Sequence, residues 1–319
     1  MLATPDPQTR AFRDDVIAGL SSSIPAIPAR WLYDQRGSEL FDAITRLPSY
    51  YPTRTETALL HAIMPEIASH VPKGAAVVEF GAGSATKTPV LLDALHPAAY
   101  VPVDISGEYL EQSAAEVQQR FPAIDVLPVV ADFARAIALP EAVESLPKLG
   151  FFPGSTIGNF VPWSGTDLLR SFHDLLGTGA QLLIGMDRVK PVERLIAAYD
   201  EPDGITAAFN LNLLERINRE LDGNIPVDAF RHEARWNEIL SRIEMHLVAT
   251  RDVDFSIGGE RFSFARGNSI HTENSHKYGP RGARLLLLAG GWTPIVEWTD
   301  PAQDFAIILA EAQPERFAP

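Results

Sequence analysis

The amino-acid sequence predicts an α/β fold with a central parallel sheet and an inserted second α+β lobe. From residue 75, short apolar runs such as "AAVVEF" and "AYVPVDI" alternate with amphipathic segments such as "SGEYLEQSAAEVQQRF". Strand–helix alternation of this kind is typical of a parallel sheet covered by helices on both faces. From residue 190 to about 275 the pattern changes to long helical stretches and segments typical of antiparallel strands. This change predicts the insertion.

The predicted elements follow in chain order. Residues 1–70 are helical in pattern, interrupted by the prolines of "SSSIPAIPARW", and "GSELFDAITRL" has apolar residues at helical spacing. The sheet strands are predicted in "AAVVEF", "AYVPVDI", "IDVLPVVAD", "LGFFPGST" and "AQLLIGMD", and the inserted strands in "FRHEARWN", "SRIEMHLVATRDVDFSI" and "ERFSFARG". A helix and two strands close the chain in "ARLLLLAGGWTPIVEWTD" and "DFAIILAEA". We therefore expect a sheet domain at 71–190 and 276–319, an inserted domain at 191–275, and an N-terminal helical segment at 1–70 that contributes to the second lobe.

Composition excludes several classes of function. The chain has 319 residues, a formal net charge of −14 and no cysteine. The negative charge disfavours nucleic-acid or anionic-membrane binding, and the absence of cysteine excludes disulfides, thiolate catalysis and thiolate metal sites. The N-terminal sequence has no secretory signal pattern, and no apolar run is long enough for a spanning helix. We expect a cytoplasmic monomer that acts on a small molecule.

The stretch "EFGAGSATKT" (79–88) follows the first predicted strand and is typical of a nucleotide-binding loop. Gly81 and Gly83 permit close backbone approach to a ligand, but Thr86 stands where a dinucleotide loop has its third glycine. Glu79 precedes Gly81 by two residues. An acid-x-Gly-x-Gly loop without the third glycine resembles motif I of the Rossmann-like class I S-adenosylmethionine-dependent methyltransferases. An NAD-dependent oxidoreductase is disfavoured by Thr86.

Polar residues at neighbouring strand ends agree with such a cofactor. Asp104 ends the next strand, where a carboxylate accepts both ribose hydroxyls. Asp132 and Phe133 follow the third strand, at a position suited to an adenine amino group and its ring face. Lys87 opens the helix after the loop and is placed to meet the carboxylate of the cofactor. Taken singly, the two aspartates also fit helix caps, and Phe133 fits a core residue.

A second set of motifs makes the resemblance more specific. These stretches are "WLYDQRGSELFDAITRLPSYYPTRTE", "GSTIGNF", "AYDEPDGITAAFN", "RIEMHL" and "IHTENSHKY". Together they resemble the L-histidine Nα-methyltransferases of ergothioneine biosynthesis, which trimethylate histidine to hercynine. The resemblance runs over nearly the whole chain, from "WLYD" to "WTDP". The fungal dimethylallyltryptophan N-methyltransferases look like more distant relatives.

The resemblance implies a role for particular residues. It assigns S-adenosyl-L-methionine to Gly81, Lys87, Asp104, Asp132 and Phe133. It assigns the histidine substrate to Tyr50, Asn159, Tyr199, Met245, Glu273, Asn274 and Ser275. It also places Tyr33 near the reacting amine and, with Tyr50, among the catalytic residues.

The chemistry of these residue types fits the implied reaction. Methyl transfer requires a neutral amine aligned with the methyl donor, so positioning supplies much of the rate. An ordinary tyrosine, with a pKa near 10, is a poor base at neutral pH, which favours orientation as its role. Glu273 and Ser275 are two residues apart, so on an extended segment they point the same way and are able to hold the two imidazole nitrogens.

Alternative interpretations stay open at this stage. Without the resemblance, buried Tyr and Asn residues are equally consistent with structural roles, and Met245 fits an ordinary core residue better than a substrate contact. His271 and His276 flank Glu273, but there is no H-E-x-x-H motif and no thiolate, so we expect no metal. The alternative functions are methylation of tryptophan or another amine, which Glu273 disfavours, and a catalytically silent cofactor-binding protein.

Overall fold

The computed structural model of the protein describes residues 7–83 and 87–314. Thr86, which stands at the position of the third glycine of a dinucleotide loop, lies outside the described residues. The chain forms two compact units. The first combines the residues up to Tyr50 with Pro191–Asn274, and the second combines Tyr51–Lys190 with the residues from Ser275 onwards.

The helices and strands of the described residues are as follows. The helices are α1 (Pro7–Leu20), α2 (Gln35–Thr45), α3 (Tyr51–His70), α4 (Thr88–Leu95), α5 (Gly107–Arg120), α6 (Pro162–Leu176), α7 (Val192–Tyr199), α8 (Ile205–Glu220) and α9 (Pro280–Ala289). The strands are β1 (Ala76–Phe80), β2 (Ala99–Asp104), β3 (Asp125–Val126), β4 (Val129–Val130), β5 (Lys148–Phe152), β6 (Gln181–Asp187), β7 (Phe230–Asn237), β8 (Arg242–Ala249), β9 (Val253–Ile257), β10 (Glu260–Phe264), β11 (Ser269–His276), β12 (Trp292–Thr299) and β13 (Phe305–Ala312). Short 3₁₀ turns occur at Ala29–Leu32, Glu141–Val143, Thr156–Asn159 and Val227–Ala229.

The second unit is built on one large sheet. Its strand order is β12-β13-β6-β5-β1-β2-β3, with β4 also paired to β2. Strands β6, β5, β1, β2, β3 and β4 pair in parallel, whereas β13 pairs antiparallel with both β6 and β12. The chain leaves β1 towards β2 and later returns to β5 on the other side of β1. In such sheets ligands bind at the carboxyl ends of the strands beside the point where the order reverses, and here that point lies between β1 and β5.

Both faces of this sheet are buried against helices. All five residues of β1 are buried. Because side chains alternate along a strand, Val78 packs into one core with α6 and α9, and Val77 packs into a second core with α3, α4 and α5. A parallel sheet buried on both faces reads as continuous apolar runs rather than as alternation. The predicted α/β fold class is confirmed.

The first unit has a different architecture. It contains a three-stranded sheet of order β11-β8-β7, a two-stranded antiparallel sheet of β9 and β10, and helices that include α8. Helix α8 packs against α2 and against β7 and β8. The side chain of Asp34 caps the N-terminus of α2 and accepts a hydrogen bond from Asn212 of α8 at 2.8 Å.

The division of the structure differs from the predicted division by one residue at the end of the insertion, which is Asn274 rather than 275, and by a whole helix at the end of the N-terminal segment. The predicted N-terminal segment extended to residue 70, but the structure groups α3 with the sheet. The reason lies in the apolar face of that helix, since Leu60, Ile63 and Ile67 are buried in the core on one side of the sheet. The N-terminal part of the first unit therefore ends at Tyr50, before α3 begins.

Candidate active site

The glycine loop begins directly at the end of β1 and turns over the end of β2. Gly81 has φ +74°, a conformation that favours glycine, and a side chain there would meet the ring of Phe133 at 3.5 Å. The N–H groups of Gly81 and Ala82 both donate to the carbonyl of Val103, at 2.8 and 3.2 Å. The loop backbone is thus fixed at the edge of the sheet where the strand order reverses.

Asp104 is held in place by the same loop. Its Oδ2 accepts from the N–H of Gly83 at 3.1 Å, and its Oδ1 accepts from the N–H of Ser106 at 2.9 Å. Burial raises the pKa of Asp104, and the backbone N–H groups of Ser106 and Gly83 oppose that rise. The result is a carboxylate of fixed orientation at the end of β2, as a ribose-binding residue requires.

Glu79, the acidic residue of the loop motif, is buried and hydrogen-bonded within the protein. It is 2% exposed, and its Oε2 accepts from the hydroxyls of Thr88 and Tyr100, each at 2.6 Å. Burial raises its pKa to about 7, against the two hydroxyl hydrogen bonds that lower it. Glu79 therefore joins β1 to the first residue of α4 and to β2, and so fixes the two ends of the loop.

Asp132 and Phe133 follow β4 in the same unit. The Oδ1 of Asp132 accepts from the N–H of Ala134 at 3.0 Å, and its Oδ2 lies 3.5 Å from Nε of Arg135. Phe133 is half-buried in an aromatic cluster, with its ring 6.3 Å from that of Phe80. Phe133 thus lies next to Gly81, and its ring also packs against the hydrophobic core.

Lys87 forms a buried ion pair that the local sequence does not indicate. Its Nζ lies 2.5 Å from Oε2 of Glu56 on α3. Both carboxylate oxygens of Glu56 also accept from the N–H of Gly154, at 2.9 and 3.0 Å. Glu56 was missed because its sequence position is that of an ordinary helical residue in "TRTETALL".

The stretch "GSTIGN" forms a tight turn after β5. Gly154 has φ +79° and Ser155 has φ +56°, and the N–H of Asp187 donates to Oγ of Ser155 at 2.9 Å. A side chain at Gly158 would come within 2.9 Å of the carbonyl oxygen of His276, so this position needs glycine for packing. The turn ends at Asn159, which is half-buried.

In the first unit the structure brings Tyr33 and Glu273 together. The hydroxyl of Tyr33 donates to Oε1 of Glu273 at 3.2 Å. Burial raises the pKa of Tyr33 well above its ordinary value, and the carboxylate of Glu273 raises it further. Tyr33 therefore stays protonated at neutral pH and orients the carboxylate that is predicted, by resemblance, to contact the substrate.

Tyr33 belongs to an aromatic cluster that also contains two other predicted site residues. The rings of Tyr50 and Tyr199 are 5.8 Å apart at an interplanar angle of 71°. The ring of Phe41 lies 6.3 Å from that of Tyr50 and 5.6 Å from that of Tyr33, and Phe209 lies 5.4 Å from Tyr33. Edge-to-face contacts of this kind fix ring orientation. Three of the predicted substrate or catalytic residues thus share one cluster.

The remaining predicted residues lie on β8 and β11. Met245 of β8 is 2% exposed, and its carbonyl accepts from Oγ1 of Thr272 at 3.1 Å. Glu273, Asn274 and Ser275 are consecutive in β11. Alternation along a strand directs Asn274 opposite to its two neighbours, and its Oδ1 is buried without a hydrogen-bond partner among the described residues.

Among the described residues, one cluster has the composition of a metal site. Glu244, His246 and His271 bring their ligating atoms within 4.8 Å of one another, and His276 is not part of this group. The carboxylate of Glu244 is already paired with Arg242 at 2.6 Å, and the two histidine rings stack 4.9 Å apart. We interpret the cluster as a hydrogen-bonded network, and the absence of a metal stays a prediction.

Comparison with known proteins identifies the family of this chain. The family model described as "Histidine-specific methyltransferase, SAM-dependent" matches residues 12–312. The protein belongs to this family. The chain is 40% identical over 306 residues to the histidine N-alpha-methyltransferase of Mycobacterium tuberculosis, with 94% of each chain covered. It is also 40% identical over 316 residues to that of Mycolicibacterium smegmatis, with 96% of each covered.

A fungal relative is more distant, as expected. The 4-dimethylallyltryptophan N-methyltransferase of Claviceps purpurea is 25% identical over 324 residues, with 92% of this chain and 93% of that protein covered. Membership of the family makes the protein a methyltransferase that uses S-adenosyl-L-methionine. No helix in the described part of this methyltransferase has the length and apolar character needed to cross a membrane.

Proposed function

We propose that this methyltransferase adds three methyl groups in turn to the α-nitrogen of L-histidine, giving hercynine for ergothioneine biosynthesis. The observation that carries the proposal is the buried carboxylate of Glu273, which receives the hydroxyl of Tyr33 at 3.2 Å. The match of residues 12–312 to the histidine-specific family supports it. A buried carboxylate favours a ligand that offers N–H groups and penalises an apolar side chain.

The residues at the ends of β1 and β2 fit the cofactor. Gly81 keeps the loop free of a side chain, and Asp104 presents a carboxylate whose orientation two backbone N–H groups fix. We assign the ribose hydroxyls to Asp104, the adenine to Asp132 and Phe133, and the amino-acid end to Lys87. S-Adenosyl-L-methionine bound there supplies a methyl group activated by a positively charged sulfur.

The protein contributes orientation rather than a strong base. Because the pKa of Tyr33 is raised, its hydroxyl acts as a hydrogen-bond donor and not as a proton acceptor at neutral pH. We assign Tyr50, Tyr199 and Asn159 to the amino-acid backbone of the substrate, for which they offer neutral donors. The α-amine has to be neutral when it attacks, and alignment of that amine supplies the main rate advantage.

We assign the imidazole ring to Glu273 and Ser275, with Met245 as an apolar neighbour. Both polar residues belong to β11, in which period-two alternation directs their side chains the same way. A carboxylate accepts an imidazole N–H, and a hydroxyl serves the second ring nitrogen. Asn274 points the other way by the same alternation, so its assignment to the substrate is the one that the strand geometry favours least.

The deciding experiment is a substrate panel. Purified protein is incubated with S-adenosyl-L-methionine and each of the twenty amino acids, and products are measured by mass spectrometry. We expect successive mono-, di- and trimethylated products from histidine alone. Methylation of tryptophan in preference to histidine would support the alternative amine substrate. Cofactor binding without turnover of any amino acid would support the silent-protein alternative. The monomeric state and cytoplasmic location stay predictions.

A further inference from the structure

Asn210, the last residue of the motif "TAAFN", lies on α8 and is fully buried in the first unit. Its Nδ2 lies 2.9 Å from Nδ1 of His232 on β7 and donates to the carbonyl of His246 on β8 at 3.2 Å. Its Oδ1 accepts from the hydroxyl of Thr272 on β11 at 2.7 Å. One side-chain amide thus joins α8 to all three strands of the sheet β11-β8-β7.

The carbonyl of His246 decides which way round the amide of Asn210 lies. If the amide were turned over, Oδ1 would face that carbonyl, and two acceptor oxygens form no hydrogen bond. The amide nitrogen therefore donates to Nδ1 of His232, which has to carry a lone pair. The ring hydrogen of His232 then lies on Nε2, which donates to the carbonyl of Tyr199 at 2.8 Å. A carbonyl is an acceptor only, so it requires the same tautomer.

The hydrogen bond from His232 holds the end of α7. This helix ends at Tyr199, whose carbonyl belongs to the last turn, where the helix itself supplies no N–H partner. The next residue, Asp200, accepts through Oδ2 from the N–H of Ala234 on β7 at 3.2 Å. Two hydrogen bonds therefore attach the C-terminal end of α7 to β7.

The other end of this network lies beside Glu273. Thr272 precedes Glu273 on β11, and alternation along the strand directs the two side chains to opposite faces. The hydroxyl of Thr272 faces Asn210, so Glu273 is directed to the face away from the network. Hydrogen bonds through His232 and Asn210 thus connect the backbone of Tyr199 to the residue before Glu273.

We propose that Asn210 and His232 are positioning residues that fix the distance between Tyr199 and Glu273, and so select the length of the substrate side chain. The inference rests on the proposed function, in which Tyr199 holds the amino-acid backbone of histidine and Glu273 holds its ring. One methylene separates the α-carbon of histidine from the ring. Asn210 is fully buried and uses its amide within the protein, so its effect on substrate passes through these two residues.

A network of this kind resists changes in spacing. Any shift of α7 relative to β11 leaves a buried donor or acceptor unpaired, which is more costly than a shift between apolar surfaces. A side chain with one extra methylene is accommodated only if its ring or its backbone end is displaced. The paired network therefore penalises the longer substrate, and a weakened network penalises it less.

The test compares His232→Gln with His232→Asn on L-histidine and on L-homohistidine, which has one extra methylene before the ring. A glutamine amide places its nitrogen near the position of Nε2 and is able to donate to Tyr199. An asparagine amide reaches only the position of Nδ1, so it pairs with Asn210 but does not replace the donor to Tyr199. Both variants lose the imidazole ring, so the difference between them measures the connection to Tyr199.

We expect wild-type protein to prefer histidine over homohistidine at least about tenfold in kcat/KM, as is usual for one methylene in a fitted pocket. In His232→Asn this preference falls about fivefold, and His232→Gln keeps most of it. The ratio does not depend on the fraction of folded enzyme, so a merely structural role leaves it unchanged.

Three results overturn the inference: equal use of both substrates by wild-type protein, an unchanged preference in His232→Asn, or the same fall in both variants. If wild-type protein does not methylate histidine at all, the proposed function fails and the inference falls with it. These two failures are distinguished by the wild-type assay alone.

Thr272→Val and Thr272→Ser test the other end of the network if the His232 variants do not fold. Valine has the shape of threonine but lacks the hydroxyl that donates to Asn210, whereas serine keeps it. We expect the preference for histidine over homohistidine to fall about threefold in Thr272→Val and to stay near the wild-type value in Thr272→Ser. Equal preferences in the two variants overturn the inference, because a hydroxyl that serves stability alone does not change substrate selection.

Discussion

Lys87 and Glu56 form a buried ion pair, 2.5 Å between Nζ and Oε2, that joins the start of α4 to helix α3. The same carboxylate receives the N–H of Gly154 in the turn after β5. One glutamate thus fixes a residue next to the glycine loop and the turn that carries Asn159. Of these, Lys87 is assigned to the cofactor and Asn159 to the substrate.

Replacement of Glu56 by Gln is expected to lower both stability and cofactor affinity. The variant leaves the ammonium of Lys87 buried without its counter-charge, and such a loss costs about 3 kcal/mol. The free energy of unfolding is measured by urea denaturation, and cofactor affinity by calorimetry. The double variant Glu56→Gln, Lys87→Met should be less destabilised than the sum of the single variants. Additive effects would contradict a coupling between the two residues.

Asp104→Ala is expected to weaken cofactor binding and also to lower stability, because the N–H groups of Gly83 and Ser106 lose their acceptor. The substitution removes the carboxylate that Gly83 and Ser106 orient, and hydrogen bonds to a charged group contribute about 1.5 to 3 kcal/mol. Affinity for S-adenosyl-L-methionine should fall at least tenfold by calorimetry. Asp125→Ala, at an exposed position on β3 of the same sheet, serves as the control and should bind normally. If Asp104→Ala and Asp125→Ala bind S-adenosyl-L-methionine equally well, Asp104 does not contact the cofactor.

The sequence predicts much of the sheet and of the cofactor site because both depend on local patterns. Apolar runs mark the buried strands, and ligand residues follow directly at strand ends, as Gly81 and Asp104 do. The boundary of the N-terminal segment could not be predicted in this way. Helix α3 and the helices before it have similar patterns, and only tertiary packing decides which core receives Leu60.

The buried ion pairs could not be predicted from local sequence. Glu56 reads as a helical surface residue, and Asp187 reads as the polar end of a strand. Each acquires its role from a lysine distant in the chain, Lys87 and Lys277 respectively. The alternation in "IHTENSHKY" predicts that Glu273 and Ser275 point the same way, but it carries no information about what orients them.

Tyr33→Phe is expected to act on histidine binding more than on the rate of the bound complex. The substitution removes the hydrogen bond to Glu273 but keeps the ring in its aromatic cluster. We expect KM for histidine to rise about fivefold, in line with the loss of roughly 1 kcal/mol from one hydrogen bond, and kcat to change little. Steady-state kinetics from pH 6 to 9 provide the measurement. A collapse of kcat together with loss of its pH dependence would identify Tyr33 as a base instead.

The cluster of His246, Glu244 and His271 makes the stability of the protein depend on pH. Burial, together with the neighbouring His271 and Arg235, lowers the pKa of His246 from 6.5 to about 4, against the opposing carboxylate of Glu244. Between these two values the unfolded chain binds more protons than the folded chain. The contribution of His246 to stability is therefore complete above pH 6.5 and is lost as the pH falls towards 4.

His246→Gln is expected to reduce this loss of stability in acid. Glutamine stays neutral throughout, so the variant lacks the proton uptake that drives unfolding between pH 6.5 and about 4. The difference between wild-type and variant slopes should be on the order of 1 kcal/mol per pH unit. Urea denaturation at a series of pH values measures it, and His61→Gln, at an exposed position on α3, should keep the wild-type slope. Parallel curves for wild-type and His246→Gln would show that His246 does not titrate with unfolding, because removal of a histidine with a depressed pKa has to flatten the acid limb.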